Sequence, residues 1–480
     1  MPVSSGSPFF LVLDQGTSST KCFLFNEIND VVFSHRIKHT LSRPAPRHVE
    51  CDANQIVESC HELIKQCVEF AKQHSSKIQS VGIAIQRSTF LFWDKKTCTP
   101  QSPVLSWQDS RSFKIADELS DHSQLIHEKS GVPLSAHFGG AKYQHLIRND
   151  PSLKSKADNG DVWFGPLSSF LVHKLTGAPV IDHTIAGRSQ LMDITNLKWD
   201  EELCSFFNVN QICLPTIVPS AEQFGIIQPW NLPLNCIIGD QQSALIGQGG
   251  LTDNFLAMNF GTSASVLYHS GQSPKHVSGL LNNVLFSNGH ETHYVTEGSI
   301  NACNSLFYWL EDELKIPHKI MKWDTRCENA TTNGVLIPGF SGLAAPYWKS
   351  GFETIFHQLD GATHDEIIRA GMESIGFLVN DILNTMNMNL TDKMVPASGG
   401  GARKPLLQFI SDITGKSIGH SSMKDRTAFG VFSLLKKAAG EPIVDEQVEC
   451  YQIFTPRMEE TLRKSKLSQW HSALKSAEIL

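Results

Sequence analysis

An apolar run that breaks at a glycine turn and at once resumes occurs twice in this chain, at corresponding places, and this repetition constrains the fold most. Phe9 to Leu13 ends in Asp14-Gln15-Gly16-Thr17-Ser18-Ser19-Thr20, and Cys22 to Phe25 follows. Phe255 to Phe260 ends in Gly261-Thr262-Ser263-Ala264-Ser265, and Val266-Leu267-Tyr268 follows. Two apolar runs joined by a short turn of Gly and small hydroxyl residues predict a hairpin. The same Gly-Thr-Ser triplet recurs from Gly16 to Gly261, an offset of 245 residues. It predicts two similar domains, each offering a glycine-turned hairpin to a shared cleft. Length agrees, since 480 residues exceed what one hydrophobic core organises. We divide the chain at 1–246 and 247–480.

Between the hairpins the pattern is mixed α/β. A helix begins near Asp52, with Gln55 as capping-box partner, and Ile56, Cys60, Ile64, Cys67 and Ala71 recur on one face. Strands return at Val81 to Ile85 and Phe90 to Trp93. In the second half Thr363 and Glu366 form a capping box before a long apolar stripe from Ile367 to Met386, a core helix.

Several function classes are excluded. A net charge of −7 argues against a general binder of nucleic acid or anionic membranes. No run of about 18 apolar residues predicts a membrane-inserted helix. The start, Met1-Pro2-Val3-Ser4-Ser5-Gly6, lacks the features of a secretory signal. The 11 cysteines include no Cys-x-x-Cys pair, so free thiols in a reducing cytoplasm are expected rather than a disulfide or metal framework.

The chemistry-bearing segments each admit two readings. Asp14-Gln15-Gly16-Thr17 at a strand end is either an ordinary turn or a phosphate cradle, with Asp14 placed to hold Mg²⁺ through water and Lys21 adding positive charge. Ser398-Gly399-Gly400-Gly401-Ala402 lies between a strand and the helical stretch Leu406 to Ile413; it either caps that helix or admits a nucleotide. Gly239-Asp240-Gln241-Gln242 offers either a general base at a cleft or a helix N-cap. Phosphate-binding P-loop and protein-kinase motifs are absent from the sequence.

Taken in order, these segments resemble the FGGY carbohydrate kinases, and glycerol kinases in particular. The resemblance also includes Gln86-Arg87, Trp107-Gln108-Asp109, Glu373-Ser374-Ile375 and Phe340-Ser341-Gly342-Leu343-Ala344-Ala345-Pro346-Tyr347-Trp348. It runs from about Phe10 to Phe454-Thr455-Pro456 and Trp470. It implies an α/β fold of two actin/hexokinase-like (ribonuclease H-like) domains flanking a central cleft, the first for substrate and phosphates, the second for nucleotide. It implies ATP and Mg²⁺ as cofactors, and a polyol or sugar hydroxyl as phosphoryl acceptor. Asp14 would organise the metal. Thr17, Ser18, Ser19, Lys21, Gly261 and Thr262 would hold phosphates, while Gly400, Gly401 and Ala402 would lie against adenosine. Asp240 would take the proton of the attacking hydroxyl, with Arg87, Ser88, Trp107, His137 and Gln241 around the substrate. Members of this family are often dimers or tetramers, and no interface signal in the sequence decides this.

Departures from the glycerol kinase pattern cluster at the substrate. Ser88 stands where a Glu follows the pocket Arg, His137 where a Tyr lines the pocket, and Val266 where an aromatic ring follows the second hairpin turn. These changes point to an acceptor larger than glycerol, such as a pentulose or longer polyol. His145 replaces a signature Trp, Ser398 a leading Asp, and Lys404 falls where Ser or Asn is common. Arg87 beside Asp240 is either a structural ion pair or a ligand contact, and we adopt the second. Two other functions compete with this one. One is a catalytically drifted nucleotide-binding relative acting as a regulatory protein; the other is an actin-like polymerising ATPase, which would leave Arg87, Asp240 and Gln241 without purpose.

Overall fold

A computed structural model describes residues 8–349, 351–387, 394–421, 425–441 and 450–480. The first half builds β1 (Phe9–Gln15), β2 (Ser19–Phe25), β3 (Val31–Lys38), α1 (Ala53–Gln73), β4 (Ile78–Ile85), β5 (Leu232–Gly239) and α2 (Asp240–Ile246). The sheet order is β5-β4-β1-β2-β3, with Ile226–Ile227 paired outside β5. β1, β2 and β3 run antiparallel in sequence, whereas β4 and β5 add parallel beside β1.

The second half repeats this plan with β6 (Leu256–Phe260), β7 (Ala264–Gly271), β8 (Leu281–Ser287), β9 (Thr292–Ile300), α3 (Asn304–Glu313), α4 (His364–Met386), β10 (Val395–Ser398), α5 (Lys404–Thr414), β11 (Ile418–Ser421), α6 (Arg426–Ala438), β12 (Cys450–Phe454) and α7 (Glu460–Ser476). Its order is β8-β9-β7-β6-β10-β11-β12. The hairpin β6–β7 therefore matches β1–β2, and parallel β10 and β11 match β4 and β5. Both hairpin turns close alike, Gly16 N–H donating to Ser19 C=O at 3.0 Å and Gly261 N–H to Ser263 C=O at 2.8 Å.

Local chemistry sets these elements. Asp52 caps α1 by accepting from the Asn54 and Gln55 amides, and Ile56, Cys60, Ile64, Cys67 and Ala71 are buried as their spacing requires. The capping box of Thr363 and Glu366 is present at α4. Strand alternation divides β1 between two cores. Phe9, Leu11 and Leu13 pack with α1, while Phe10 and Val12 pack with Val431, Phe432 and Leu435 of α6.

That second core modifies the two-part division. α6 belongs to the second half of the chain, yet it lies on the first sheet and against α2. The two helices cross closely at Gly430, where a Cβ would lie 1.9 Å from the Ser243 carbonyl oxygen. A further four-stranded sheet, with Phe90–Asp94 inside it and Val162–Pro166 at its edge, packs Phe90, Phe92 and Phe164 into its own core.

Register aligns the ends of the parallel strands. Gln15 pairs with Ile85 and Ile85 with Gly239. The residues that follow β1, β4 and β5 therefore emerge at one sheet edge: Gly16 and Thr17, Gln86 to Ser88, and Asp240. In the second sheet Asn259 pairs with Ser398, so Gly261-Thr262 and Gly399-Gly400 emerge together. Ligands bind at such carboxyl ends of parallel strands in α/β folds.

Candidate active site

Asp14 sits in the penultimate position of β1, directly opposite Lys21 of β2. Lys21 Nζ is 3.6 Å from Asp14 and 3.4 Å from Asp425. Burial raises the Asp14 carboxyl to about 6, with Asp240 and Asp425 adding to the rise and Lys21 opposing it. A carboxyl raised by burial and by two neighbouring carboxylates is a group that a divalent cation would discharge, so the residues fit Mg²⁺.

Asp240 is the first residue of α2, and Gly239 is its N-cap. The N-cap reading of Asp240 thus gives way, because the helix begins one residue earlier than that role needs. Its Oδ1 accepts from Gln241 N–H at 2.8 Å and lies 3.5 Å from Arg87 Nε. Its side chain keeps 28% of its surface open to the cleft. Burial raises its pKa, with Arg87 pulling the other way.

Arg87 has a stronger partner than Asp240, and one that motif reasoning missed. Its two terminal nitrogens donate to the two oxygens of Glu297 at 2.8 and 3.0 Å, and one of them also to Gln242 Oε1 at 3.1 Å. Arg188 donates to the same Glu297 oxygen, Oε2, that accepts from one of the Arg87 nitrogens. Glu297 comes from β9 of the second sheet, so this buried Arg–Glu–Arg triad ties the cleft floor across the two halves. Although burial alone would raise the Glu297 carboxyl, Arg188 and Arg87 hold it down to about 2. Gln241 also reaches across, its Oε1 accepting from Asn259 Nδ2 at 3.5 Å. Glu297 and Arg188 stand 209 and 100 residues or more from Ser88 and Arg87 in no motif, and only the register of β9 brings the carboxylate here.

The other wall carries Trp107, His137 and Ser88. Trp107 Nε1–H donates to Thr17 Oγ1 at 2.8 Å, fixing the first hairpin's hydroxyl. His137 Nδ1 lies 3.0 Å from the Trp107 carbonyl, and the residue is exposed. Ser88 is buried in a left-handed turn at φ 60°. Fully buried Lys142 holds it there, donating to the carbonyls of Ser88 and Ser106, both at 2.7 Å.

Val266 does not line the pocket as the sequence suggested. It packs with Met258 and Ile300 in the second domain's core. Alternation along β7 turns its neighbour Ser265 to the opposite face, where Ser265 pairs with Ser299 of β9. Ser299 Oγ in turn donates to Glu297 at 3.2 Å.

On the second sheet's edge, the turn at Gly261 and Thr262 is backed by α3. The amides of Cys303 and Ser305 donate to the Thr262 carbonyl, and that of Asn304 to Gly261. Gly399 has φ +98°, and a Cβ there would lie 2.2 Å from the Phe260 carbonyl oxygen. Gly399 and Gly400 face solvent, whereas Gly401 donates its N–H to Phe260 at 2.8 Å and Ala402 is buried. This open glycine surface beside Thr262 fits a flat nucleotide base and ribose. Lys404 is exposed and paired with Glu328 at 3.3 Å, away from that surface.

The architecture has counterparts of known structure. It superposes on the crystal structure of Plasmodium falciparum glycerol kinase with ADP at a TM-score of 0.90, with 29% identity and 99% of each chain covered. A Lactobacillus acidophilus gluconate kinase shares the fold at a TM-score of 0.87, with 19% identity and 99% of each chain covered. This is the two-domain actin-like architecture of sugar kinases. Residues 9–247 match the N-terminal domain of the FGGY family of carbohydrate kinases, and residues 256–438 its C-terminal domain. The chain belongs to that family, and is a kinase that acts on alcohol acceptors. It is 31% identical over 492 residues to the glycerol kinase of Bacillus cereus, covering 98% of this chain and 99% of that one. To the glycerol kinase of Thermococcus onnurineus it is 30% identical over 482 residues, covering 98% of each. No helix of the described residues is long and apolar enough to cross a membrane.

Proposed function

We propose that this chain transfers the terminal phosphoryl group of ATP to a hydroxyl of a polyol or sugar, with Asp240 as general base. The supporting observation is the Asp240 carboxylate itself, at the start of α2, 3.5 Å from Arg87, partly open to solvent and near enough to Asp14 to raise its pKa. As the acceptor oxygen bonds to phosphorus and the bond to the ADP oxygen breaks, the hydroxyl proton passes to Asp240. The transition state is largely dissociative, so positioning and charge neutralisation do most of the work. Bound Mg²⁺ would supply part of that neutralisation, held by Asp14. Thr17, Ser18, Ser19 and Lys21 on one hairpin and Gly261 and Thr262 on the other would hold the phosphates. Gly399 and Gly400 would take the adenosine, with Gly401 and Ala402 shaping the turn beneath.

Arg87, Gln241, Trp107, His137 and Ser88 would surround the acceptor. Ser88 supplies no carboxylate, and Ser265 and Ser299 are small hydroxyl groups on the facing sheet. The pocket is therefore suited to an acceptor with more hydroxyls than glycerol, a pentulose or longer polyol. Ten free cysteines among the described residues fit a reducing cytoplasm.

The test is ADP release with ATP and Mg²⁺ across glycerol, erythritol, ribitol, xylulose and ribulose, for the native protein and Asp240→Asn. Turnover of a larger acceptor is expected, with kcat reduced about 10²- to 10⁴-fold in Asp240→Asn while nucleotide binding persists. Efficient use of glycerol with none of the larger acceptors would overturn the substrate reading. A variant as active as the native protein would remove Asp240 as the base.

A further inference from the structure

Outside the cleft, where the connector between the halves meets the second sheet, three side chains aim donor atoms at one point. Asp253 lies on the connector between α2 and β6, His269 on β7 and His293 on adjacent β9. His269 Nε2 is 2.9 Å from His293 Nδ1. Asp253 Oδ1 is 3.1 Å from the first nitrogen and 3.5 Å from the second. Both imidazoles are buried, whereas the Asp253 side chain is 51% exposed and leaves a path from solvent.

The outer nitrogens of both rings are already engaged. His269 Nδ1 faces the Thr252 carbonyl at 3.0 Å, a group that only accepts, so Nδ1 carries the proton and Nε2 a lone pair. His293 Nε2 faces the Glu291 carboxylate at 3.2 Å, so Nε2 carries the proton and Nδ1 the lone pair. Lys437 anchors Glu291 at 2.6 Å, and Phe286 stacks on the His293 ring with centroids 4.6 Å apart. Two lone pairs and a carboxylate oxygen that converge this closely repel unless a positive particle lies among them. A proton bridges two of the three atoms; a metal ion bonds all three. Outer N–H groups set on a carbonyl and a carboxylate are how imidazole ligands are oriented in metal sites. An ion about 2.0–2.2 Å from each atom would see these separations at angles of roughly 90–115°, close to tetrahedral with one position open.

We propose that Asp253, His269 and His293 bind a divalent zinc ion, with water in the fourth position, and that the ion fastens the connector to the second sheet. Two imidazoles and one carboxylate suit Zn²⁺ and not Mg²⁺, which takes oxygen ligands. His293 and Glu297 are four residues apart on β9, about 13 Å along a strand, so the ion stands clear of the reacting groups.

Chelator-stripped full-length protein, titrated with Co²⁺ as a spectroscopic probe in excess Mg²⁺, should bind one equivalent with visible d–d absorption. Zn²⁺ should displace the Co²⁺ and raise the thermal unfolding midpoint by a few degrees, as any ligand of the native state does. Asp253→Asn, an exposed change that spares both rings, should weaken binding at least about tenfold, and His293→Gln should abolish the band. The metal-free unfolding midpoint of Asp253→Asn reports whether that variant is folded. Binding undiminished in both variants would place the metal elsewhere and overturn the proposal. Absence of both the Co²⁺ band and the Zn²⁺ shift in the native protein would overturn it too, leaving a proton between the rings.

Discussion

Asp14 and Glu297 are both buried carboxyl groups, but burial raises Asp14 whereas Arg188 and Arg87 overcome it at Glu297, and their pH signatures separate accordingly. Asp14, raised to about 6, takes up a proton as the pH falls through that value. Kinase activity should therefore fall on the acid side with an apparent pKa near 6. If Asp14 holds the metal, Mg²⁺ competes with that proton, and raising its concentration should move the acid limb to lower pH. A limb indifferent to Mg²⁺ would take the metal away from Asp14. For stability the sign reverses: the native state binds this proton more tightly than the unfolded chain, so acidification from about 6 toward 4 favours folding through Asp14. Glu297 contributes stability above its ordinary 4.5 that is lost as the pH falls toward about 2. Glu297→Gln leaves buried Arg188 without its paired carboxylate and Arg87 with only Asp240, 3.5 Å from its Nε. It should cost on the order of 3–5 kcal/mol in urea unfolding, and a loss under 1 kcal/mol would show that solvent already screens the triad. Asp14, Thr17, Arg87 and Asp240 could be singled out in the sequence because each lies within two residues of a strand end, in a segment that resembles the family. Glu297 and Arg188 could not, because their meaning depends on a partner contributed by the other half of the chain. Val266 was misplaced for a related reason: a one-residue choice on a strand decides which of two faces a side chain occupies.

Among the elements, hairpins and amphipathic helices announced themselves, while their docking did not. The glycine turns marked β1–β2 and β6–β7, and the stripe from Ile367 to Met386 marked α4. Nothing within α6 says that it rests on the first sheet; its apolar residues would suit either core. What specifies the contact is steric, at Gly430, where α6 meets Ser243 of α2. Gly430→Ala should force the helices apart, at roughly 1–3 kcal/mol or more for an overpacked contact. Since α2 begins with Asp240, that displacement should also lower kcat, whereas damage confined to α6 would lower stability alone. Urea unfolding and steady-state kinetics on the one variant tell these apart.

For the whole molecule, the repeated sheet suggests two domains that could each fold alone, and the packing argues otherwise. The first sheet has α1 on one face and α6 on the other, and α6 arrives from residues 426–438, after the second sheet has been built up to β11. Phe10, Val12, Phe23, Phe25, Ala84, Cys236 and Ile238 lose their cover if the chain is cut after residue 246. Each large apolar side chain so exposed forfeits about 1.5–3 kcal/mol, and several together approach or exceed the 5–15 kcal/mol by which an ordinary domain is stable. Residues 1–246 expressed alone should therefore bind a hydrophobic dye, lack a cooperative unfolding transition and aggregate. Co-expression with 247–480 should restore a soluble pair, because α6 then returns to its face and Glu297 to Arg87 and Arg188. A fragment 1–246 that unfolds cooperatively and stays monomeric would mean that α6 adds little to that core. The two halves would then be joined chiefly by the ion triad on the cleft floor.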